Sequence, residues 1–480
     1  MNVYDLENIM DELVPEQHLF FNDDESMEIY DTCIHIMEQF IVQHPKLISE
    51  PDFEEIFDEN IHELMHSHFD YDVFYNDEAE EEMEDIIDHA KVDFFKEYMP
   101  IRSYPNSIIL KHPDHKYVTK QLHFLRNKPQ PAQRTKEWYE FRHNLITASN
   151  AYKAFENQNV KNQLIYEKCQ PLNPELYVND DDCNEDDNDV KKIQVVQMVN
   201  TNSTLHWGQK YEPLSVKIYE HMYQTKIEDF GCIQHENYMF LGASPDGINV
   251  DTKSERYGRM LEIKNIVNRE IDGIPKKEYW IQMQLQMEVC DFDECDFLET
   301  RFVEYTDSIS FYNDNVKDPV CGKGVIMHFH TKEGKPFYKY KPFDIIEPKD
   351  IDKWEEDMVD LYQSQEYGYM WIKNIYWKLD QLSCVLVCRN KRWFQDNIAE
   401  LQEMWNIVDK ERVSGFEHRA PNRKTKKCDE TTGPIQNAFG CLLAYKGKIS
   451  ANGNVKPIIV NKQRSQSVTL EDIGDVDVDL

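Results

Sequence analysis

Gly242-Ala243-Ser244-Pro245-Asp246-Gly247, followed by Met260-Leu261-Glu262-Ile263-Lys264, is the stretch on which the reading of this chain turns. Phe240 to Ser244 and Met260 to Ile266 both predict short strands, and Pro-Asp-Gly is turn chemistry. Side chains alternate along a strand, so Glu262 and Lys264 share one face, roughly 7 Å apart, while Leu261 and Ile263 point to a core. Asp246 stands where the first strand ends, and a hairpin returning the chain there sets its carboxylate beside Glu262. Two carboxylates and an ammonium suit phosphodiester hydrolysis, because hard cations take carboxylate oxygens and a positive group steadies the attacking water. Each half alone is ordinary. An acid-x-Lys triplet also describes a solvated strand face, and Pro-Asp-Gly also describes a plain hairpin turn.

Outward from this stretch, three further motifs occur in order. Arg134-Thr135-Lys136-Glu137-Trp138-Tyr139-Glu140-Phe141-Arg142 is followed by Thr147-Ala148-Ser149, the serine lying seven residues after the arginine. Gly208-Gln209-Lys210-Tyr211-Glu212 falls in a helix predicted from about Leu205 to Gln224. Tyr279-Trp280-Ile281-Gln282-Met283-Gln284 opens a helix predicted over Lys277 to Cys290. One at a time these have plain readings: Glu212 as a surface acid, Gln282, Gln284 and Gln286 as a polar helix face, Trp138 as core, Arg142 as a surface arginine.

Together and in this order, the motifs resemble the PD-(D/E)xK nucleases and, within them, the YqaJ-like viral recombinases related to phage lambda exonuclease. The resemblance implies an α/β, restriction-endonuclease-like core with a mixed central sheet flanked by helices. It implies that Asp246 and Glu262 bind divalent metal, with the carbonyl of Ile263 and the carboxylate of Glu212 as further ligands. Lys264 would polarise the nucleophilic water, Gln282 would position water or phosphate, and Arg142 with Ser149 would bind a DNA 5′-phosphate. Trp138 and Tyr279 stay open between DNA contact and packing. The implied cofactor is Mg²⁺, two ions about 4 Å apart, with Mn²⁺ as a substitute.

The implied activity is 5′-to-3′ digestion of linear double-stranded DNA ends in viral DNA recombination, repair or replication. A structure-specific endonuclease using the same site is the alternative. A non-catalytic nuclease-fold binding protein is a third reading, disfavoured because Asp246, Glu262 and Lys264 are all present. The implied partners are double-stranded DNA and a single-strand annealing protein or recombinase, with a homo-oligomer left open. The combination of such a domain with long acidic extensions resembles versions found in large DNA viruses.

At 480 residues the chain exceeds one core. It divides into an acidic helical extension and linker (1–125), a nuclease domain (126–310), a mainly helical C-terminal region (311–445) and a tail (446–480). A net charge of −36 argues against DNA binding until its distribution is read. Residues 1–100 hold 30 Asp and Glu against three Lys, whereas 101–150 hold nine Lys and Arg against three acids. Such a segment could mimic DNA and hold the basic region shut, or bind a partner. Tyr104 to Pro131, with four prolines, reads as an extended connector, and the acidic run 179–189 as an inserted loop.

Other features are less specific. Eleven cysteines without a CxxC pair point to reduced thiols, and no apolar run suits a membrane span or signal peptide. The expectation is a soluble intracellular protein; if viral, it belongs in host cytoplasm or nucleus at the site of viral DNA replication, or in the virion. No phosphate-gripping GxxxxGK[ST] loop supports ATP-driven translocation. His328-Phe329-His330 reads as a strand rather than a zinc site. Arg389, Lys391 and Arg392 before Trp393-Phe394, and the basic run from Arg419 to Lys427, stay open between DNA contact and ordinary structure.

Overall fold

The apolar-Glu-apolar-Lys stretch forms a strand inside a mixed sheet. The computed structural model describes residues 20–69, 76–106, 112–133, 135–172, 201, 203–318 and 320–421. Strand β7 (Met260–Asn265) runs parallel to β8 (Glu294–Glu304) on one side and antiparallel to β6 (Gly247–Asn249) on the other. Outside β6 lies β3 (Ile227–Glu228), and outside β8 come β11 (Met370–Cys388), β9 (Lys323–His330) and β10 (Pro336–Tyr340). Strand β1 (Tyr104–Pro105) also pairs with β11. A second, three-stranded sheet sets β5 (Leu241–Ala243) between β2 (Ile146–Thr147), parallel to it, and β4 (Ile233–Gln234), antiparallel.

Two parallel neighbours need a crossover, and helix α8 (Lys277–Cys290) supplies it between β7 and β8. The opposite face of β7 is covered by α7 (Thr204–Tyr223), whose Tyr219 packs with Ile227, Leu261, Ile263 and Leu298. Strand β7 is therefore covered on both faces. Leu261 and Ile263 fill the layer under α7, as their alternation predicts, and Glu262 and Lys264 point toward α8.

The described part of the acidic N-terminal region is folded. Helices α1 (Asp23–Gln43), α2 (Phe53–His68) and α3 (Asp77–Glu97) each bury one stripe and turn their carboxylates outward. On α1 the stripe is Ile29, Cys33, Met37, Phe40 and Ile41, and Asn22 with Glu25 closes a capping box at its start. Phe40, Phe53, Phe57 and Phe94 make the aromatic centre of this bundle. Its core is continuous with that of α8 and α10 (Lys391–Ser414). Polar ties cross the same junction: Lys277 pairs with Glu50 at 2.7 Å, and Trp280 Nε1 donates to the Arg102 carbonyl at 3.0 Å. Contacts gather the described residues, 20 to 421, into one compact unit.

Two expectations are corrected. The stretch Tyr104 to Pro131 is not simply extended, because it holds helix α4 (His115–Arg126). Its prolines bracket that helix without interrupting it, and Asp114 caps it by accepting from the amides of Lys116 and Tyr117. The region 311–445 is not mainly helical where it is described. Besides α9 (Pro348–Gln363) and α10 it supplies β9, β10 and the 19-residue β11, which extend the sheet begun by β7 and β8. Strand β11 is hard to read because its register shifts between Trp371 and Lys373 and between Leu379 and Gln381, and each shift resets the two-residue alternation. His328 and His330 do lie in a strand, β9. Residue 134, the acidic run 179–189, residues 422–427 and the tail lie outside the described residues.

Candidate active site

Ser244-Pro245-Asp246 carries the chain from the small sheet to the large one. The turn is a crossing between sheets, and the hairpin expected there instead joins β6 to β7, with Gly247 opposite Leu261. Gly247 lies so close to β3 that a Cβ would stand 2.2 Å from Ile227 Cγ2, which explains the glycine after the aspartate. Because β6 begins at Gly247, the edge of β7 beyond Leu261 lacks a strand partner there. Asp246 takes that place: its Oδ2 accepts from the Ile263 amide at 2.7 Å. A strand residue turns its N–H and C=O to the same side, so the Ile263 carbonyl lies along this edge as well.

On the other face of β7, Glu262 is 1% exposed and each of its oxygens has a donor. Lys264 Nζ stands 2.5 Å from Oε1, and Gln286 Nε2 donates to Oε2 at 2.7 Å. Gln282 Oε1 accepts from Lys264 at 3.3 Å, and the Tyr279 ring lies under the ammonium at 4.7 Å. Gln282 and Gln286 are one helical turn apart and face β7 together. Gln284, on the far side of α8, donates to the Cys388 carbonyl and accepts from the Asn390 amide. The three glutamines therefore do not form one polar face.

Burial, then the carboxylates of Glu262 and Glu212, push Asp246 well above the usual carboxylate range, against the opposing pull of Lys264 and the Ile263 amide. Burial would favour a neutral Lys264, but Glu262 and Asp246 outweigh it and raise its proton affinity. Glu212 is exposed on α7 and acts on this group through its charge. Clustered carboxylates that repel one another, all presenting hard oxygen donors, fit a divalent cation such as Mg²⁺ or Mn²⁺.

A second group adjoins the first. Strands β2 and β5 are parallel with Thr147 opposite Gly242, so Ser149 and Ser244 leave the sheet at the same end. Arg142, on α5 (Lys136–His143), stacks on Trp138 at 4.6 Å and reaches Ser244 Oγ at 3.4 Å. Ser149 is exposed and its hydroxyl meets Thr147 Oγ1 at 3.3 Å, so the direct partner of Arg142 is Ser244. Lys168, on α6 (Gln158–Cys169), donates to the Arg142 carbonyl at 2.8 Å, and Arg412 on α10 donates to the His143 carbonyl at 2.9 Å. Both cations thus cap the end of the helix that carries Arg142. Trp138, half-buried, is a platform for this arginine.

The structure brings Asp246, Glu262, Ile263, Lys264 and Gln282 together, with Tyr279 beneath the lysine. Sequence reasoning passed over Ser244 and Gln286. Gln286 Nε2 contacts both the Ser244 carbonyl, at 3.2 Å, and Glu262, so one buried amide joins the two groups. Its position four residues after Gln282 was the available signal. Arg389 is held by Glu288 and Asp291 at 2.7 Å each, and Trp393 and Phe394 are buried, so that cluster is a packed helix start.

A mixed sheet flanked by helices, with an aspartate before one strand and Glu-x-Lys on the next, is similar to the restriction-endonuclease-like α/β core of the PD-(D/E)xK nucleases. Residues 137–293 match the family model of the YqaJ-like viral recombinase domain. An uncharacterized protein of Acanthamoeba polyphaga mimivirus is 28% identical over 351 residues, 64% of this chain and 60% of its own length. The chain thus spans less than two thirds of that relative. Among solved structures, an alkaline exonuclease from Laribacter hongkongensis is similar at 17% identity and a TM-score of 0.30, covering 59% of this chain and 95% of that one. Its complex with dAMP gives 19% and 0.29 over 59% and 95%. Among the described residues, no helix is long and apolar enough to cross a membrane.

Proposed function

We propose that this protein is a divalent-metal-dependent DNA exonuclease that digests linear duplexes 5′-to-3′ from their ends, in the recombination, repair or replication of a viral genome. The observation that carries the reading is the convergence of Asp246, Glu262 and Lys264 beside a second group, Arg142 with Ser244, two residues before the aspartate. The match of residues 137–293 to the viral recombinase domain supports it.

In this reading Asp246, Glu262 and Glu212, with the Ile263 carbonyl, hold the metal. When bound, it supplies Lewis-acid stabilisation and a water of lowered pKa. Lys264 stays protonated between Glu262 and Gln282, and presents a positive charge where the phosphorane charge develops. Gln286 donates to Glu262 and fixes its orientation. Arg142 offers a planar donor fork to a terminal phosphate, braced by Trp138, with the Ser244 and Ser149 hydroxyls at the same edge. A terminal phosphate carries more charge than an internal diester, so this group selects ends while the carboxylates cut.

The test is a linear duplex labelled separately at each 5′ and 3′ end, beside an unnicked circle, with and without Mg²⁺. Mg²⁺-dependent release beginning at 5′ ends, with the circle intact, is expected. Cutting of the circle would replace an exonuclease with an endonuclease.

A further inference from the structure

Away from the carboxylate site, three metal-ligating side chains from two segments converge. His221 lies in the last turn of α7, and Asp318 and Cys321 lie on the loop before β9. One ligand atom from each falls within 4.8 Å of the others. The imidazole and the carboxylate are exposed and the thiol is buried, so the group is closed on its sulfur side and open to solvent on the other.

The loop holds its two ligands firmly. Asp318 Oδ1 accepts from the amides of Val320 at 2.8 Å and Cys321 at 3.3 Å, and the Asp318 carbonyl accepts from the Gly322 amide at 2.9 Å. A Cβ on Gly322 would lie 2.4 Å from that carbonyl oxygen, so this tight turn requires glycine. The second carboxylate oxygen, Oδ2, is thereby left facing the sulfur, 3.0 Å away.

We propose that His221, Asp318 and Cys321 bind one zinc ion, with water as the fourth ligand on the exposed side. Sulfur, imidazole nitrogen and a single carboxylate make a borderline-soft set that suits Zn²⁺ and not Mg²⁺, in contrast to the all-oxygen donors around Asp246. Tetrahedral zinc with ordinary bond lengths sets its ligand atoms about 3.5 Å apart. The Asp318–Cys321 pair, at 3.0 Å, therefore opens slightly, and the separations from His221, within 4.8 Å, close by up to roughly 1 Å, within reach of the rotamers of that exposed side chain. Binding forms a zinc–sulfur bond, sends the thiol proton to solvent and ends the thiol's hydrogen bond to Asp318.

The ion would staple the end of α7 to the loop that feeds β9. Helix α7 also carries Glu212, nine residues earlier, roughly 14 Å along the axis. Zinc here is thus a structural clamp on a helix that borders the carboxylate site, and it leaves the Mg²⁺ requirement of cleavage in place.

The experiment measures metal content of the full chain after exposure to micromolar Zn²⁺ and dialysis, with Co²⁺ as a spectroscopic probe. Wild type should retain about one zinc per chain, give a thiolate-to-cobalt charge-transfer band with tetrahedral visible bands, and melt at higher temperature with zinc than without. Cys321→Ser should lose the charge-transfer band. His221→Asn, a change at an exposed position that spares the core, should lose at least tenfold in zinc affinity and the thermal shift. Zinc uptake by both variants equal to wild type, no retained zinc in wild type, or a cobalt spectrum unchanged in Cys321→Ser would each overturn the site.

Discussion

Gln286→Met removes a single buried amide and leaves nearly the same volume. Gln286 is 0% exposed, and its Nε2 donates at 2.7 Å to Glu262 and at 3.2 Å to the Ser244 carbonyl. The first contact is a hydrogen bond to a buried charge, worth about 2 kcal/mol, and the second is a neutral bond worth about 1 kcal/mol. Their loss leaves one Glu262 oxygen desolvated without a donor, so a fall of about 2 to 3 kcal/mol in unfolding free energy is expected. The functional effect is the sharper one. A metal ligand that loses its outer partner typically costs 10- to 100-fold in metal affinity or activity, so the Mg²⁺ concentration for half-maximal cleavage is expected to rise by about that factor. Cleavage of an end-labelled duplex across a Mg²⁺ series, paired with urea denaturation, reads both. A variant with the wild-type Mg²⁺ profile would refute the link from Gln286 through Glu262 to the metal, even if its stability fell.

Three further outcomes follow from the structure. Arg142→Ala is expected to lose most of the rate preference for 5′-phosphorylated over 5′-hydroxyl ends, and a variant that keeps the full preference would move end selection elsewhere. Burial, Arg142 and Arg412 lower the Lys168 pKa to about 8. Its charged form is therefore disfavoured in the fold, fully so below pH 8, and the penalty lifts as pH rises toward the unfolded value of 10.5. Wild type should thus gain about 2 to 3 kcal/mol relative to Lys168→Met between pH 7 and pH 10 in parallel denaturation curves, and a constant difference would contradict the shift. Neutralising the exposed Glu81, Glu84 and Asp85 on α3 is expected to tighten non-specific DNA binding about threefold at low salt, and unchanged binding at every salt concentration would dismiss a DNA-screening role for that surface.

The parts of the fold that could be read in the sequence are those with an uninterrupted period. Helices α7 and α8 and strand β7 fall within a few residues of their expected limits, and the shared face of Glu262 and Lys264 follows from alternation alone. What stayed hidden depends on contacts between distant segments. The two bulges of β11 reset its alternation, so a strand that pairs with both β8 and β9 keeps no single two-residue period along its length. The docking of the acidic helices onto α8 and α10 rests on Arg102, Lys277 and Asn397, none of which is unusual locally. For the same reason a deletion of residues 1–100 would open a shared core, and surface substitutions are the cleaner probe of their charge. Gln286 was visible only as one of three glutamines, and which of them faces β7 is fixed by the rotation of α8 against the sheet.

The central proposal, that Asp246, Glu262 and Lys264 form a metal-dependent hydrolytic centre, is tested most directly by Glu262→Gln under single-turnover conditions. Enzyme in excess over a 5′-phosphorylated linear duplex, with duplex binding measured on the same preparations, separates chemistry from association. Glutamine keeps the volume and one oxygen but removes the charge that pairs with Lys264 at 2.5 Å and that is proposed to hold the metal. The expected result is a fall of about 1,000-fold or more in the Mg²⁺-dependent cleavage rate with duplex affinity within about threefold of wild type. A variant that folds, binds DNA and cleaves within tenfold of the wild-type rate would contradict the assignment.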